Sequence, residues 1–349
     1  MQIPLVVEPN DYRWKLLREI LNIFEMRKTK KIVAKFTSPV KTAINCIKIT
    51  LTSMFFSTTI SHVVEELKQR KELWEFLGLK EDEVPEAKYI YAFLSRFNLD
   101  SFVSMILQIL NSVTRKRQRN TKLIIDCTDV SVDINWFRKP VRQRDLEGKD
   151  YKWGYSSKGM FVGMKLTLVL ECPSMRPLLF LLNPANRHEA KIFHEVMDEL
   201  KRRRIIRRGD TVIMDKGFYA YRNYLIGINE YRIVPLIFPK SNFNMNKLDG
   251  MLSYPLSVFN SKSLHKEKRR FRALKSRLLS LLQKWKEFKA VRSVIEDVFK
   301  LAKSFGLRRL HRYTRRSVLK FAALNVLLIG LVAALGFREK KVLQRLAEM

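Results

Sequence analysis

The sequence predicts an α/β domain on a mixed five-stranded sheet, preceded by an all-helical region and followed by a helical segment. Three observations predict it. Apolar residues recur at helical spacing through roughly the first 118 residues. Short apolar runs of strand length then follow one another, first directly and then alternating with a helical pattern. The last hundred residues return to long helical periodicity. Strands that alternate with helices bury their sheet between helical layers, which is the α/β arrangement.

In the helical region, Trp14, Leu17, Ile20, Leu21 and Phe24 fall on one face of a 3.6-residue period, as do Ile60, Val63, Val64 and Leu67. Pro39 and Pro85 punctuate it, and residues 86–97 read as a further helix. Residues 114–122 (TRKRQRNTK) are basic and polar and read as a linker. The five expected strands are residues 123–126, 164–171, 177–182, 211–214 and 232–238. Between the third and fourth, Asn186 followed three residues later by Glu189 resembles a capping box opening a helix. That helix would carry Ile192, Phe193, Val196, Met197 and Leu200. The expected division is a helical domain over residues 1–118 and an α/β domain over 119–349. The latter carries a basic helical insert at about 241–286 and C-terminal helices.

Residues 318–337 are largely apolar, but Lys320 and Asn325 interrupt them, and the clean run, 326–337, has only 12 residues. A membrane span needs about 20. The segment therefore reads as a helix packed against the body of the protein, with no membrane partner. No secretory or lipidation pattern is present, so the expected location is cytoplasmic, in association with the nucleoid.

Charge narrows the function classes. The 67 Lys and Arg against 34 Asp and Glu leave a formal charge of +33. Such an excess repels itself in a compact chain unless a polyanion is near, and nucleic acid gains affinity by releasing counterions. Residues 241–316 concentrate it, with 20 basic and 5 acidic residues. Cys46, Cys127 and Cys172 form no CxxC and no Cys/His cluster, which fits a reducing compartment and argues against zinc.

Asp126 and Asp215 each directly follow a buried-looking run, LII and TVIM. An acid at the carboxyl end of a buried strand projects into the crevice above a sheet. If the two strands are neighbours, the carboxylates converge; a turn-starting role is the simpler alternative for either alone. Asp129 and Asp133 lie close by, but strand alternation puts Asp129 on the face opposite Asp126. Arg292, Glu296 and Lys303 are spaced by four and seven, so at about 100° per residue they share one helical stripe. Three such carboxylates suit two Mg²⁺ or Mn²⁺ ions about 3.5–4 Å apart, since hard cations take oxygen ligands.

These stretches resemble the DDE transposases of bacterial and archaeal insertion sequences, in the branch of families four and five. The match lies in LIIDCTDV (residues 123–130), with Asp126 and Thr128; in GMKL (163–166) with NPANRHE (183–189); in VIMDKGFY (212–219), with Asp215; and in Arg292, Glu296 and Lys303. It covers roughly residues 123–334. The resemblance implies a ribonuclease-H-like catalytic domain, with Asp126, Asp215 and Glu296 as catalytic metal ligands for two Mg²⁺ (or Mn²⁺) ions. It also implies that Arg292 and Lys303 contact phosphates of the element's ends or orient Glu296. Lys216 and Lys289 join them as expected DNA contacts. Where the family places a Tyr three residues before the Arg, this chain has Lys289, with Phe288 beside it. Only 80 residues separate Asp215 from Glu296, so the β-rich insertion of some relatives is absent.

The implied reaction is hydrolysis at the element's ends followed by attack of the 3′ hydroxyls on target DNA, without a nucleotide cofactor. The implied partners are terminal inverted repeats, target DNA and a second copy of the chain. A transposase-derived DNA-binding protein and a nuclease without strand transfer are the alternatives. His188 and His194 flank a helix start, where capping or surface roles are simpler than a metal role. Trp136, Phe137, Tyr151, Trp153 and Tyr155 lie among Arg138, Lys139, Arg142, Arg144 and Lys152. They would suit stacking on exposed bases or packing within their own loop. The N-terminal helices would read DNA ends or dimerise.

Overall fold

The computed structural model describes residues 4–113, 121–132, 142–156, 159–252, 261–310, 314–337 and 340–348. Most of the expected linker, and Asp133, Trp136, Phe137, Arg138 and Lys139, lie outside them. The chain forms two compact units, and neither is continuous in sequence. One comprises Met1–Lys116, Asp129–Met164 and Asp297–Met349; the other comprises Arg117–Thr128 and Lys165–Glu296. One break falls at residues 116–117, close to the expected boundary, but the first unit also takes in later segments of the chain.

In the first unit the N-terminal region is wholly helical among the described residues: α1 (Tyr12–Glu25), α2 (Arg27–Ala34), α3 (Val40–Phe55), α4 (Ile60–Gln69), α5 (Lys71–Leu77), α6 (Ala87–Arg96) and α7 (Leu99–Val113), with a 3₁₀ turn after α5. The apolar segment at the other end of the chain packs against α7, α3 and α1 as helix α13 (Arg315–Ala334), and a last helix, α14 (Lys340–Glu348), follows it. By length and composition α13 passes for a membrane span, but 78% of its most apolar 18-residue stretch is buried within the protein. The two polar residues that interrupt it explain why. The Lys320 ammonium donates to the carbonyls of Leu94 (2.6 Å), Ser95 (3.0 Å) and Phe97 (2.6 Å) at the C-terminal end of α6. Asn325 Nδ2 donates to the carbonyls of Ala302 (2.9 Å) and Phe305 (3.0 Å). Both side chains serve helix ends whose carbonyls lack intrahelical partners.

Seven strands, rather than five, make up the sheet among the described residues: β1 (Lys122–Val132), β2 (Lys152–Ser156), β3 (Gly159–Cys172), β4 (Arg176–Pro184), β5 (Thr211–Met214), β6 (Val234–Ile237) and β7 (Arg309–Leu310). The five expected strands are all present. The two additions are short edge elements that carry no apolar run. Along the sheet the order is β2-β3-β1-β5-β6, with β4 paired to β3 and β7 to β1. The sheet is mixed: β1, β5 and β6 run parallel, and β2 is antiparallel to β3. In the first unit Gly163 of β3 lies so close to β1 that an added Cβ would sit 2.1 Å from the Val130 carbonyl oxygen.

The second unit holds the core of the sheet. Leu123 and Ile125 of β1 and all four residues of β5 and β6 are buried. Helix α8 (Glu189–Arg202) lays Ile192, Phe193, Val196, Met197 and Leu200 against them, the five residues its periodicity selects. Its N-cap is His188, whose Nδ1 accepts from the Ala190 amide at 3.2 Å, so the expected capping box from Asn186 to Glu189 does not form. Helix α9 (Tyr221–Asn229) follows β5, α10 (Met245–Met251) follows β6, and α11 (Ser261–Gln283) packs on β6 and α9. A 3₁₀ turn (Trp285–Phe288) leads into α12 (Lys289–Ala302), which carries Arg292 and Glu296 and then crosses into the first unit.

Candidate active site

β1 and β5 pair in parallel register from Lys122 with Thr211 to Ile125 with Met214. One step further, the register sets Asp126 beside Asp215, and register partners in a sheet share a face. The two strands end differently. β5 stops at Met214, and Asp215 opens a tight turn, Lys216–Phe218. β1 does not stop at Asp126 but runs on to Val132, so the first acid sits mid-strand. Asp126 is accordingly the more buried, at 6% exposure, while Asp215 is partly open.

The third acid comes from α12, and Arg292 on the same helix gathers all three. Its Nη2 donates to Asp126 Oδ2 at 2.7 Å and its Nη1 to Glu296 Oε1 at 2.5 Å. Its Nε faces Asp215 Oδ1 at 3.9 Å and is buried without a hydrogen-bond partner among the described residues. Burial works against the Arg292 charge, but Asp126, Asp215 and Glu296 outweigh it and hold its pKa above the ordinary value. Asp126 responds first to burial, which pushes its carboxyl up to about 7. Arg292 and the Cys127 amide, which donates to Oδ1 at 2.8 Å, pull it down, while Asp215 and Glu189 raise it further.

Glu189, read from the sequence only as part of a capping box and of a matched stretch, takes a different place in the fold. It is the first residue of α8, and its Oε1 lies 3.2 Å from the Lys165 ammonium of β3. Lys165 also donates to the Arg187 carbonyl. The other carboxylate oxygen rests on Gly217, where an added Cβ would fall 1.6 Å from it. A methyl there would have to push the Glu189 carboxylate aside, so the turn after Asp215 and that carboxylate share the space a glycine leaves. Asn223 secures the same joint, donating to the carbonyls of Phe218 (2.8 Å) and Ala190 (3.0 Å). Lys165, Glu189 and Gly217 lie in stretches that carried the resemblance, but only the folded geometry brings them together.

The remaining expected residues are spread more widely. Lys289 lies exposed with its ammonium 5.0 Å above the Trp285 ring, and Lys122 sits 5.2 Å above Phe288. Lys216 is exposed beside Asp215. Lys303 lies beyond the end of α12, in the first unit, and donates to Asp129 at 2.7 Å. Asp126 and Asp129 thus take different partners, as strand alternation requires. Of the described aromatics before β3, Tyr151 is buried, and on β2 Trp153 is half-buried and Tyr155 exposed.

Residues 117–331, more than half of the chain, match the family model described as the transposase DDE domain. The chain belongs to the DDE transposase family. Neither curated proteins nor solved structures gave a match. Membership makes this a transposase with a ribonuclease-H-like catalytic fold, acting on DNA. The matched span contains Asp126, Asp215 and Glu296 and leaves out nearly all of the helical N-terminal region.

Proposed function

We propose that this transposase cuts DNA at the ends of its own insertion sequence and joins the freed 3′ hydroxyls to target DNA, with Asp126, Asp215 and Glu296 as the catalytic acids. One observation carries the reading: a single guanidinium collects these three carboxylates from β1, from the end of β5 and from α12.

The donor set fits two Mg²⁺ or Mn²⁺ ions. It is all carboxylate oxygen, the ligand class hard cations take, and it already surrounds a positive charge. As the side chains lie, no three His, Cys, Asp or Glu among the described residues are close enough to hold an ion. Arg292 occupies the space between them. Ions bound there would activate the attacking oxygen and stabilise the leaving one.

The chain's own residues position these acids. The Cys127 amide and Arg292 fix the two oxygens of Asp126. The turn through Gly217, braced by Glu189 and Asn223, sets the direction of Asp215. Lys165 offsets the charge of Glu189, so that a fourth carboxylate near Asp126 costs less. When Arg292 turns to a DNA phosphate, its charge stays in the site while the acids become free to bind cations. Lys289 and Lys216 extend the phosphate-binding surface, and Lys303 acts on DNA from the first unit. The helical region over residues 1–118 binds element ends or the second copy of a dimer, and the protein works on the nucleoid.

The test is strand transfer with precut element ends and a target plasmid. Joined products that require Mg²⁺ or Mn²⁺ support the reading. Cleavage of intact ends without joining would make the protein a nuclease, and end binding without either would make it a DNA-binding derivative.

A further inference from the structure

The basic helix α11 fills the stretch between Asp215 and Glu296 and has no part in the site described above. It carries eight Lys and Arg and one acid, Glu267. These charges are sorted by side. Phe271, Leu274, Leu278 and Leu282 are buried. Glu267 is turned toward the body of its unit, where Arg208 (3.0 Å) and Arg270 (2.7 Å) hold it ionised. Lys275 pairs with Asp249, and Arg277 donates to the Gly209 carbonyl and the Thr211 hydroxyl. Glu267 and Asp249 are thus engaged on the flanks.

The outward face is different. At about 100° per residue, Arg269, Ala273, Ser276 and Ser280 fall within about 60° of one another, opposite Leu278. Lys266, Arg272 and Lys284 border that strip. All seven are exposed, and the four cations have no acidic partner among the described residues. Ala273 and the two serines leave the ridge low between long cationic side chains. From Lys266 to Lys284 the ridge runs about 27 Å at 1.5 Å per residue, a length comparable with most of one turn of duplex DNA.

We propose that the outer face of α11 is a docking surface for duplex DNA, contacted through its phosphates without base readout. Charge complementarity selects this occupant. A second copy of the face would meet it with like charge. An anionic membrane would need an apolar side to enter the interface, and no large hydrophobic residue is exposed on α11 among the described residues. Cations and small hydroxyl side chains on one strip are what phosphate contacts use. Because α11 packs on β6, next to the strand that leads into Asp215, DNA held here is fixed to the same rigid sheet as the catalytic acids. The proposal rests on the reading that the protein acts on DNA. It adds a surface the acids do not need for metal binding or chemistry.

The test is the salt dependence of binding to a fluorescent 30-base-pair duplex of random sequence. It compares the full-length wild-type protein, Arg269→Glu/Arg272→Glu, the milder Arg269→Gln/Arg272→Gln, and Arg269→Lys/Arg272→Lys. Each phosphate contact adds about 0.9 to the slope of log affinity against log salt. The Glu pair should lose at least about tenfold in affinity at 100 mM salt and about 2 in slope. The Gln pair should fall between it and wild type, and Arg269→Lys/Arg272→Lys should restore binding. Unchanged slope and affinity in both the Glu and Gln pairs would overturn the proposal. So would loss of binding to anionic vesicles with duplex binding intact. If wild type itself fails to bind duplex DNA, the functional reading fails instead.

Discussion

Arg292→Gln removes one positive charge from the centre of three carboxylates while keeping most of the side chain's bulk. An ion pair at about 4 Å is worth about 4 kcal/mol at an effective dielectric constant near 20. The three pairs do not contribute equally. The Glu296 side chain is 50% exposed, so solvent reduces its share to well under about 1 kcal/mol. Asp215 makes no hydrogen bond to the guanidinium at 3.9 Å. The Asp126 pair dominates, since that side chain is only 9% exposed and, without its partner, must either stay charged while buried or take up a proton. Breaking a buried pair on one side costs about 3–5 kcal/mol, and the 20% exposure of Arg292 and the proton Asp126 can take up bring this case to the lower end or somewhat below it. The expected loss in EDTA is therefore about 2–4 kcal/mol, read from hydrogen exchange of the β5 amides, which report on this unit. Divalent ions change the comparison. In the variant they find the acids unoccupied; in wild type they must first displace Arg292. Ligand at about 100 times its Kd adds about 2.7 kcal/mol, so saturating Mn²⁺ should close most of the gap. A gap that is the same with and without Mn²⁺, or no loss in EDTA, would refute the idea that Arg292 holds the place of a cation.

Two further outcomes follow from the site. Burial raises Asp126 to about 7, so between about pH 4 and 7 the folded protein keeps a proton that the unfolded chain has released. Stability contributed by this group therefore falls as pH rises through that window and levels off above it. Asp126→Asn removes the titration, so in EDTA the variant should gain on wild type from about pH 5 to about pH 8 by on the order of 2–4 kcal/mol; parallel profiles would contradict the burial argument. Gly217→Ala forces the Glu189 carboxylate off its place and should cost on the order of 1 kcal/mol of stability together with a several-fold loss of cleavage rate. Restoration of cleavage by adding Glu189→Ala would identify that clash as the cause, and an undisturbed single variant would remove Glu189 from the positioning of Asp215.

The parts of this protein that were legible in the sequence are those fixed by burial. The runs LII and TVIM are apolar because β1 and β5 are covered on both faces, and the α8 stripe has its period because one side of that helix meets the sheet. What stayed hidden depends on partners distant in the chain. β7 is two residues long and is a strand only because Ser131 and Val132 lie beside it. β1 continues past Asp126 through CTDVSV, whose alternation is weaker than the run before it. His188 displaced Asn186 as the cap, a choice between neighbouring polar residues that sequence spacing does not decide. The spacing of Arg292 and Glu296 showed that they share a helical face. It did not show that the guanidinium would reach Asp126 and Asp215, nor that Lys303 would turn to Asp129 once α12 had ended. Glu189 was visible as part of a motif, but its closeness to Gly217 is a property of the fold alone.

The most direct test of the account is cleavage of labelled DNA carrying the element's own end, in Mg²⁺ or Mn²⁺ against EDTA. It compares wild type with Asp126→Asn, Asp215→Asn and Glu296→Ala, with binding to the same DNA measured in parallel. The account predicts metal-dependent nicking at the end by wild type, loss of nicking in each variant, and binding largely retained in all. Full nicking by any one variant would contradict its assignment, and nicking that persists in EDTA would contradict the site as a whole.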